Sequence, residues 1–115
     1  MTEMLTDATM ATLTAALDGL SARQRVVANN VANVMTPGFT ASQVGFEASL
    51  SQAISNGDPT TTVVSTSPTS DPAGPNGNNV NLDDQTLSLA QTNLHYQTLI
   101  AGLNSKYAQL RAAIA

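Results

Sequence analysis

The sequence predicts a mainly α-helical protein, with two long terminal helices paired as a coiled-coil hairpin and a long irregular central loop. Apolar residues recur at alternating steps of four and three near both ends of the 115-residue chain. All five prolines and five of the seven glycines fall between residues 35 and 81. Large core-forming side chains are scarce: the aromatic residues are Phe39, Phe46, Tyr96 and Tyr107, and there is no Trp.

The N-terminal helix is expected within residues 1–34. From Leu13 the pattern runs through Leu17, Leu20, Gln24, Val27, Val31 and Val34, and backwards through Met10 to Thr6. That is an a/d-type seam with Gln24 as its main polar interruption. A helix over residues 6–32 would be roughly 40 Å long at about 1.5 Å per residue.

Residues 35–81 read as a turn followed by a Pro/Gly/Ser/Thr-rich loop. Within them Phe46, Leu50 and Ile54, spaced by four, allow a short helix near residues 41–55. Residues 82–115 carry the second seam: Leu82, Thr86, Leu89, Asn93, Tyr96, Ile100, Leu103, Tyr107, Leu110 and Ile114. Asn81 suits the cap. Asp83 and Asp84 suit the positive end of the helix dipole, and Arg111 its negative end. Gly102 inside this helix costs about 1 kcal/mol relative to alanine. It is either a tolerated weak spot or the place where a neighbouring helix comes close.

Each helix buries one stripe in such a hairpin. Leu5, Val26, Leu87, Leu94 and Leu99 lie off those stripes and still want partners, which predicts assembly with other chains rather than a monomer. The termini meet at one end.

Composition excludes several function classes. There is no cysteine, hence no disulfide or thiolate metal site, and one histidine, His95, cannot make a His-rich site. The net charge of −4 gives no basic footprint for nucleic acid. No run approaches the eighteen or so apolar residues of a membrane span. MTEMLTDATM has an acid where a secretory signal carries Lys or Arg, so it does not read as a cleaved signal peptide. No acid lies within a turn of His95 to build a triad. Asp83 and Asp84, adjacent on a helix, point about 100° apart and are helix-start acids rather than a catalytic pair. DPAGPNGNN lacks the strand and lysine of a phosphate loop. No catalytic, cofactor or metal site is expected.

One stretch stands out: ANNVANVMTPGF, residues 28–39. Asn29 and Asn33 share a helical face beside Ala28 and Ala32, with Asn30 next to them. Asparagine is a poor helix former, because its amide competes for backbone hydrogen bonds. The same amide offers two donors and an acceptor without charge. Thr36-Pro37-Gly38-Phe39 fits a tight turn, with Pro at the first central position and Gly supplying positive φ at the second, which throws Phe39 back towards the helix end. These residues either fray a helix end or form a subunit contact.

The stretch LSARQRVVANNVANVMTPGF, residues 20–39, resembles the N-terminal signature of the flagellar rod, hook and hook-associated axial proteins. Ala28, Asn29, Asn30, Ala32, Asn33, Thr36, Pro37, Gly38 and Phe39 match it; Val34-Met35 stand where that family more often has a small or polar residue. The C-terminal stretch GNNVNLDDQTLSLAQTNLHYQTLIAGLNSKYAQLRAAI is similar to the end of the small proximal-rod members, through Gly77-Asn78, Leu82-Asp83, Tyr96-Gln97 and Leu103-Asn104-Ser105-Lys106. The resemblance implies a structural subunit of the flagellar basal-body rod, in the proximal part of the drive shaft, that polymerises through its terminal helices. It implies export by the flagellar type III apparatus without a cleaved signal, and residence in the periplasmic rod of the basal body. Implied partners are copies of itself, other rod proteins, the basal-body adaptor FliE, and the membrane ring or export gate at the rod base. Enzymatic activity, cofactors, nucleic acid and small-molecule substrates are not implied. The alternative class is a helical-hairpin export adaptor or chaperone-like interaction module, which needs no Thr-Pro-Gly-Phe turn.

Overall fold

The computed structural model describes the backbone of residues 2–114 and the side chains of residues 7–114. Thr6 and Leu5, assigned above to a seam and to an unpartnered face, lie outside the described side chains. The element order is α1 (Thr2–Ala32), β1 (Ser42–Gly45), α2 (Glu47–Ser55), a 3₁₀ turn (Pro59–Thr61), β2 (Ser65–Pro68) and α3 (Leu82–Ile114). The molecule is drawn out, with extents of 62 × 26 × 14 Å.

Helices α1 and α3 pack against each other. Their contact runs through the polar interruptions of the two seams: Gln24 Nε2 donates to Asn93 Oδ1 at 2.7 Å. Leu20 and Val27 are buried, while Leu13, Leu17, Tyr96, Ile100 and Leu103 are half-buried. Val31, Leu89, Tyr107 and Leu110 are exposed. The α3 face that closes on the rest of the chain includes Gln85 and Thr92, both buried and polar. Asn81 caps α3 as its sequence predicts, its Oδ1 accepting from Asp84 N at 3.3 Å.

Inside the central segment the structure places two short strands that composition did not reveal. β1 and β2 pair antiparallel, with Ser42 opposite Pro68, Val44 opposite Thr66 and Gly45 opposite Ser65. Alternation is the reason β1 forms: Val44 points into the core, while Gln43 and Gly45 point out. The short helix is α2. It starts after Phe46 and ends in a Schellman motif, where Gly57 at φ 80 lets Gly57 N reach Ile54 O and Asp58 N reach Ala53 O, both at 3.0 Å. Asp58 then caps the 3₁₀ turn by accepting from Thr60 N.

The core lies where the two-stranded sheet docks on the helices. Leu20, Val44 and Phe46 form its centre, with Ala16, Val26, Leu50, Tyr96 and Leu99 packed around them. Two of the positions off the seams, Val26 and Leu99, therefore find partners within the chain. Gly19 makes this docking possible. A Cβ there would lie 2.4 Å from the Phe46 ring, so the ring rests directly on the α1 backbone. Gly102 is the opposite case: among the described residues nothing lies within 4 Å of its would-be Cβ.

The two helical glycines should therefore respond oppositely to alanine. Gly102→Ala should raise stability by about 1 kcal/mol through helix propensity. Gly19→Ala should lower it by about 1–3 kcal/mol, because the displaced Phe46 ring costs more than the propensity gained. Urea unfolding of both variants measures this; two shifts of the same sign would show that the ring does not lie against α1.

Candidate functional site

The sequence-predicted motif lies where α1 ends, and the structure splits it into an inner and an outer part. Asn30 is the inner part, fully buried at 0% exposure. Its Nδ2 donates to Ser42 O at 2.8 Å and to Gln85 Oε1 at 2.9 Å, and its Oδ1 accepts from Ser42 N at 3.0 Å. The side-chain amide thus pairs with the peptide of Ser42 as a neighbouring strand would. It closes the outer edge of β1 onto α1 and, through Gln85, onto α3. Charge would be wrong here, because a carboxylate has no donor for Ser42 O or Gln85 Oε1.

Asn33 turns the helix end. Its Nδ2 donates to Asn29 O at 2.8 Å, and its Oδ1 accepts from Thr36 Oγ1 at 3.1 Å. The turn that follows is closed by Phe39 N donating to Thr36 O at 3.3 Å, with Gly38 at φ 73. Asn29, Thr36, Pro37 and Gly38 are exposed, and Phe39 is half-buried.

This turn has a second half far along the chain. Asn78 Nδ2 donates to both Asn33 O and Thr36 O at 2.8 Å, a second donor for carbonyls that already accept from Thr36 N and Phe39 N. Gly38 N donates to Asn76 O at 2.8 Å. Gly77, at φ 80, is so close that a Cβ on it would sit 3.2 Å from Gly38 Cα. Asn79 anchors the next stretch: its Oδ1 accepts from Ala41 N at 2.6 Å, and its Nδ2 donates to Thr69 Oγ1 and Asp71 O at 3.1 Å each. The Asn-Asn pairs at 29–30 and 78–79 are thereby halves of one network. Among the described residues, every buried side-chain nitrogen and oxygen has a partner.

Sequence reasoning gave Arg23, Glu47, Gln85 and Asn79 no role. Arg23 lies with its guanidinium carbon 5.0 Å over the centre of the Phe46 ring. Its Nη2 donates to Val44 O at 2.7 Å, and its Nη1 pairs with Glu47 Oε1 at 2.5 Å. One side chain thus ties down the end of β1, the core aromatic and the start of α2. The Arg23 hydrogen bond, opposed by partial burial, lowers the Glu47 pKa from its ordinary 4.5 to about 2. The repeated Asn-Asn doublet was the available signal for Asn79; nothing in the local sequence marks Arg23 or Gln85.

The arrangement holds backbone groups of the turn and of β1. Among the described residues no group of three His, Cys, Asp or Glu could hold a metal ion, and no helix is long and apolar enough to cross a membrane.

A family model described as flagella basal body rod protein matches residues 10–40, which include the whole motif. The chain is similar to the flagellar basal body rod protein FlgB of Bacillus subtilis (strain 168), at 31% identity over 92% of this chain and 92% of that protein. It is similar to FlgB of Borrelia hermsii at 60% identity, over 35% of this chain and 30% of that one. With FlgB of Cereibacter sphaeroides it shares 31% identity over 80% of this chain and 82% of the relative.

Replacing Asn30 by alanine strands Ser42 N–H, Ser42 C=O and Gln85 Oε1, at about 1–3 kcal/mol for each group left buried. Thermal unfolding should show Asn30→Ala destabilised by at least about 3 kcal/mol, and Asn29→Ala changed by less than about 0.5 kcal/mol. Equal effects would mean that the Asn30 amide does not hold β1. Glu47 adds a pH dependence. Its folded pKa is depressed, so the ion pair's contribution is complete above the unfolded value of 4.5 and is lost as pH falls towards about 2. The loss should be small, because the Glu47 side chain is 59% exposed. Glu47→Gln should flatten the stability curve over that window, and an unchanged slope would remove Arg23 as its cause.

Proposed function

This chain belongs to the flagellar basal body rod protein family and is a structural subunit of that rod; we propose that it occupies the proximal rod and polymerises there through its terminal helices. The supporting observation is apolar surface that the hairpin leaves uncovered. Val31 and Leu89 remain exposed at one end of the paired seams, and Leu87 and Leu94 on the outer face of α3. A drawn-out molecule with such surface gains more from neighbours than from itself.

In this reading the motif works on both sides. Asn30 and Asn33 set the angle at which β1 and the turn leave α1. Asn29, Thr36, Pro37 and Gly38 present the outer surface of that turn to a neighbouring subunit, with Met35, 85% exposed, beside them. Partners are further copies of the chain, other rod proteins, and at the rod base the adaptor FliE with the membrane ring or export gate. The subunit resides in the periplasmic rod, reaches it through the flagellar export apparatus without a cleaved signal, and performs no catalysis. Residues 1–34 and 82–115 form the polymerising body, and residues 35–81 a separate central segment.

A charge placed in the seam tests the assembly role. Leu17→Asp and Leu103→Asp each put an unpaired carboxylate into a half-buried apolar contact, at several kcal/mol. Cells carrying either variant in place of the parent chain should build no rod and should not swim. Normal basal bodies with both variants would refute polymerisation through these helices.

A further inference from the structure

We infer that Asn78 is a positioning residue for assembly: buried itself, it fixes the backbone of the exposed turn after α1 in the shape that a neighbouring subunit meets. The inference deepens the rod-subunit reading above and rests on the outer face of that turn being a contact.

The turn has little of its own to hold it. Met35 is 85% exposed, and Thr36, Pro37 and Gly38 are exposed as well. Among the described residues nothing lies within 4 Å of a would-be Cβ on Gly38. Local bonds close it loosely: Thr36 N donates to Asn33 O at 3.0 Å and Phe39 N to Thr36 O at 3.3 Å. An exposed turn with a glycine at positive φ and so few contacts opens readily.

The grip comes from residues 76–79. Asn78 Nδ2 spends its donors on Asn33 O and Thr36 O. Gly38 N donates to Asn76 O at 2.8 Å, and Asn79 N donates to Phe39 O at 3.2 Å. The Asn78 amide is itself aimed, because its Oδ1 accepts from Val80 N at 2.8 Å and its own N–H donates to Asn76 Oδ1 at 3.1 Å. The turn is thereby fixed to the segment that leads into α3 as well as to the end of α1.

This grip does more for geometry than for stability. Asn33 O and Thr36 O each keep a donor within the turn when Asn78 is removed, whereas removal of Asn30 strands the polar groups of Ser42. The side chains that Asn78 sets in place face solvent, so holding them buries almost no apolar surface. What the chain gains is a loop already ordered before contact, which spares the ordering cost of association. In a polymer that saving recurs at every subunit.

Amide exchange of the full chain, followed by NMR, tests this with Asn78→Ala. Exchange at Gly38 and Phe39 should quicken by at least about ten-fold, while Leu20 and Val27 inside α1 keep the parent rate. Cells carrying the variant should build fewer rods by about ten-fold or more. Gly77→Ala is the second variant. It removes no hydrogen-bonding group, but its methyl would lie 3.2 Å from Gly38 Cα at a φ of 80, and it should reproduce both effects. Parent-like exchange at Gly38 and Phe39 in both variants overturns the inference. So does exchange that quickens equally at Leu20 and Val27, which would make Asn78 a support of the whole fold. The double variant Asn29→Lys/Met35→Lys charges the outer face and leaves the bonds from residues 76–79 in place. It should block rods without changing exchange at Gly38 and Phe39. Normal rods from it would refute the contact reading; rods blocked by it but normal with Asn78→Ala would refute the positioning role alone.

Discussion

One buried amide holds the architecture together. Asn30 meets both polar groups of the Ser42 peptide and the Gln85 side chain, and it is sealed from water. A short two-stranded sheet has too little pairing to persist by itself. Here the outer edge of β1 is completed by side chains of α1: the Asn30 amide at one end and the Arg23 guanidinium at the other. The sheet is in effect extended by a helix that cannot itself be a strand.

The remaining features follow from that attachment. With β1 fixed, Phe46 is delivered onto the bare backbone at Gly19, and Arg23 covers the ring while gripping Glu47. The far end of the same segment is returned by Asn78 and Asn79, which bond to the turn after α1. The central segment is therefore clamped at both ends to the C-terminal half of α1. What stays open is the outer face of α3, where Leu87 and Leu94 are exposed.

The helices and their ends were legible in the sequence, because period, caps and turn chemistry are local. The a/d spacing located α1 and α3, Asn81 announced its cap, and Pro37-Gly38 announced the turn. The spacing also brought Gln24 and Asn93 onto facing lines. The two-stranded sheet was not legible, since four-residue strands rich in Ser and Thr carry almost no periodic signal and their edge is completed by residues of α1. Arg23, Gln85 and Asn79 were missed for the same reason. Their roles exist only across separations such as the 55 residues between Asn30 and Gln85, or the 38 between Ala41 and Asn79. Gly19 carries no local signal, because what requires it is the Phe46 ring, 27 residues away in the sequence. The asparagines of the motif read locally as either a frayed end or a contact. The structure adds a third role, because Asn30 satisfies peptide groups inside its own chain.

The long reach of these amides sets an order of events. A chain that grows or advances N-terminus first presents α1, β1, α2 and β2 before any residue beyond 77 is present. Until then Asn30 lacks its Gln85 partner, and the Asn33 and Thr36 carbonyls accept only from Thr36 N and Phe39 N of their own turn. Loops of 45 and 55 residues must close before Asn78 and Gln85 contribute, and closure entropy comes first. The protein therefore carries its own delay: the leading two-thirds stays loosely held, and the arrival of a few asparagines and one glutamine locks it into its final shape.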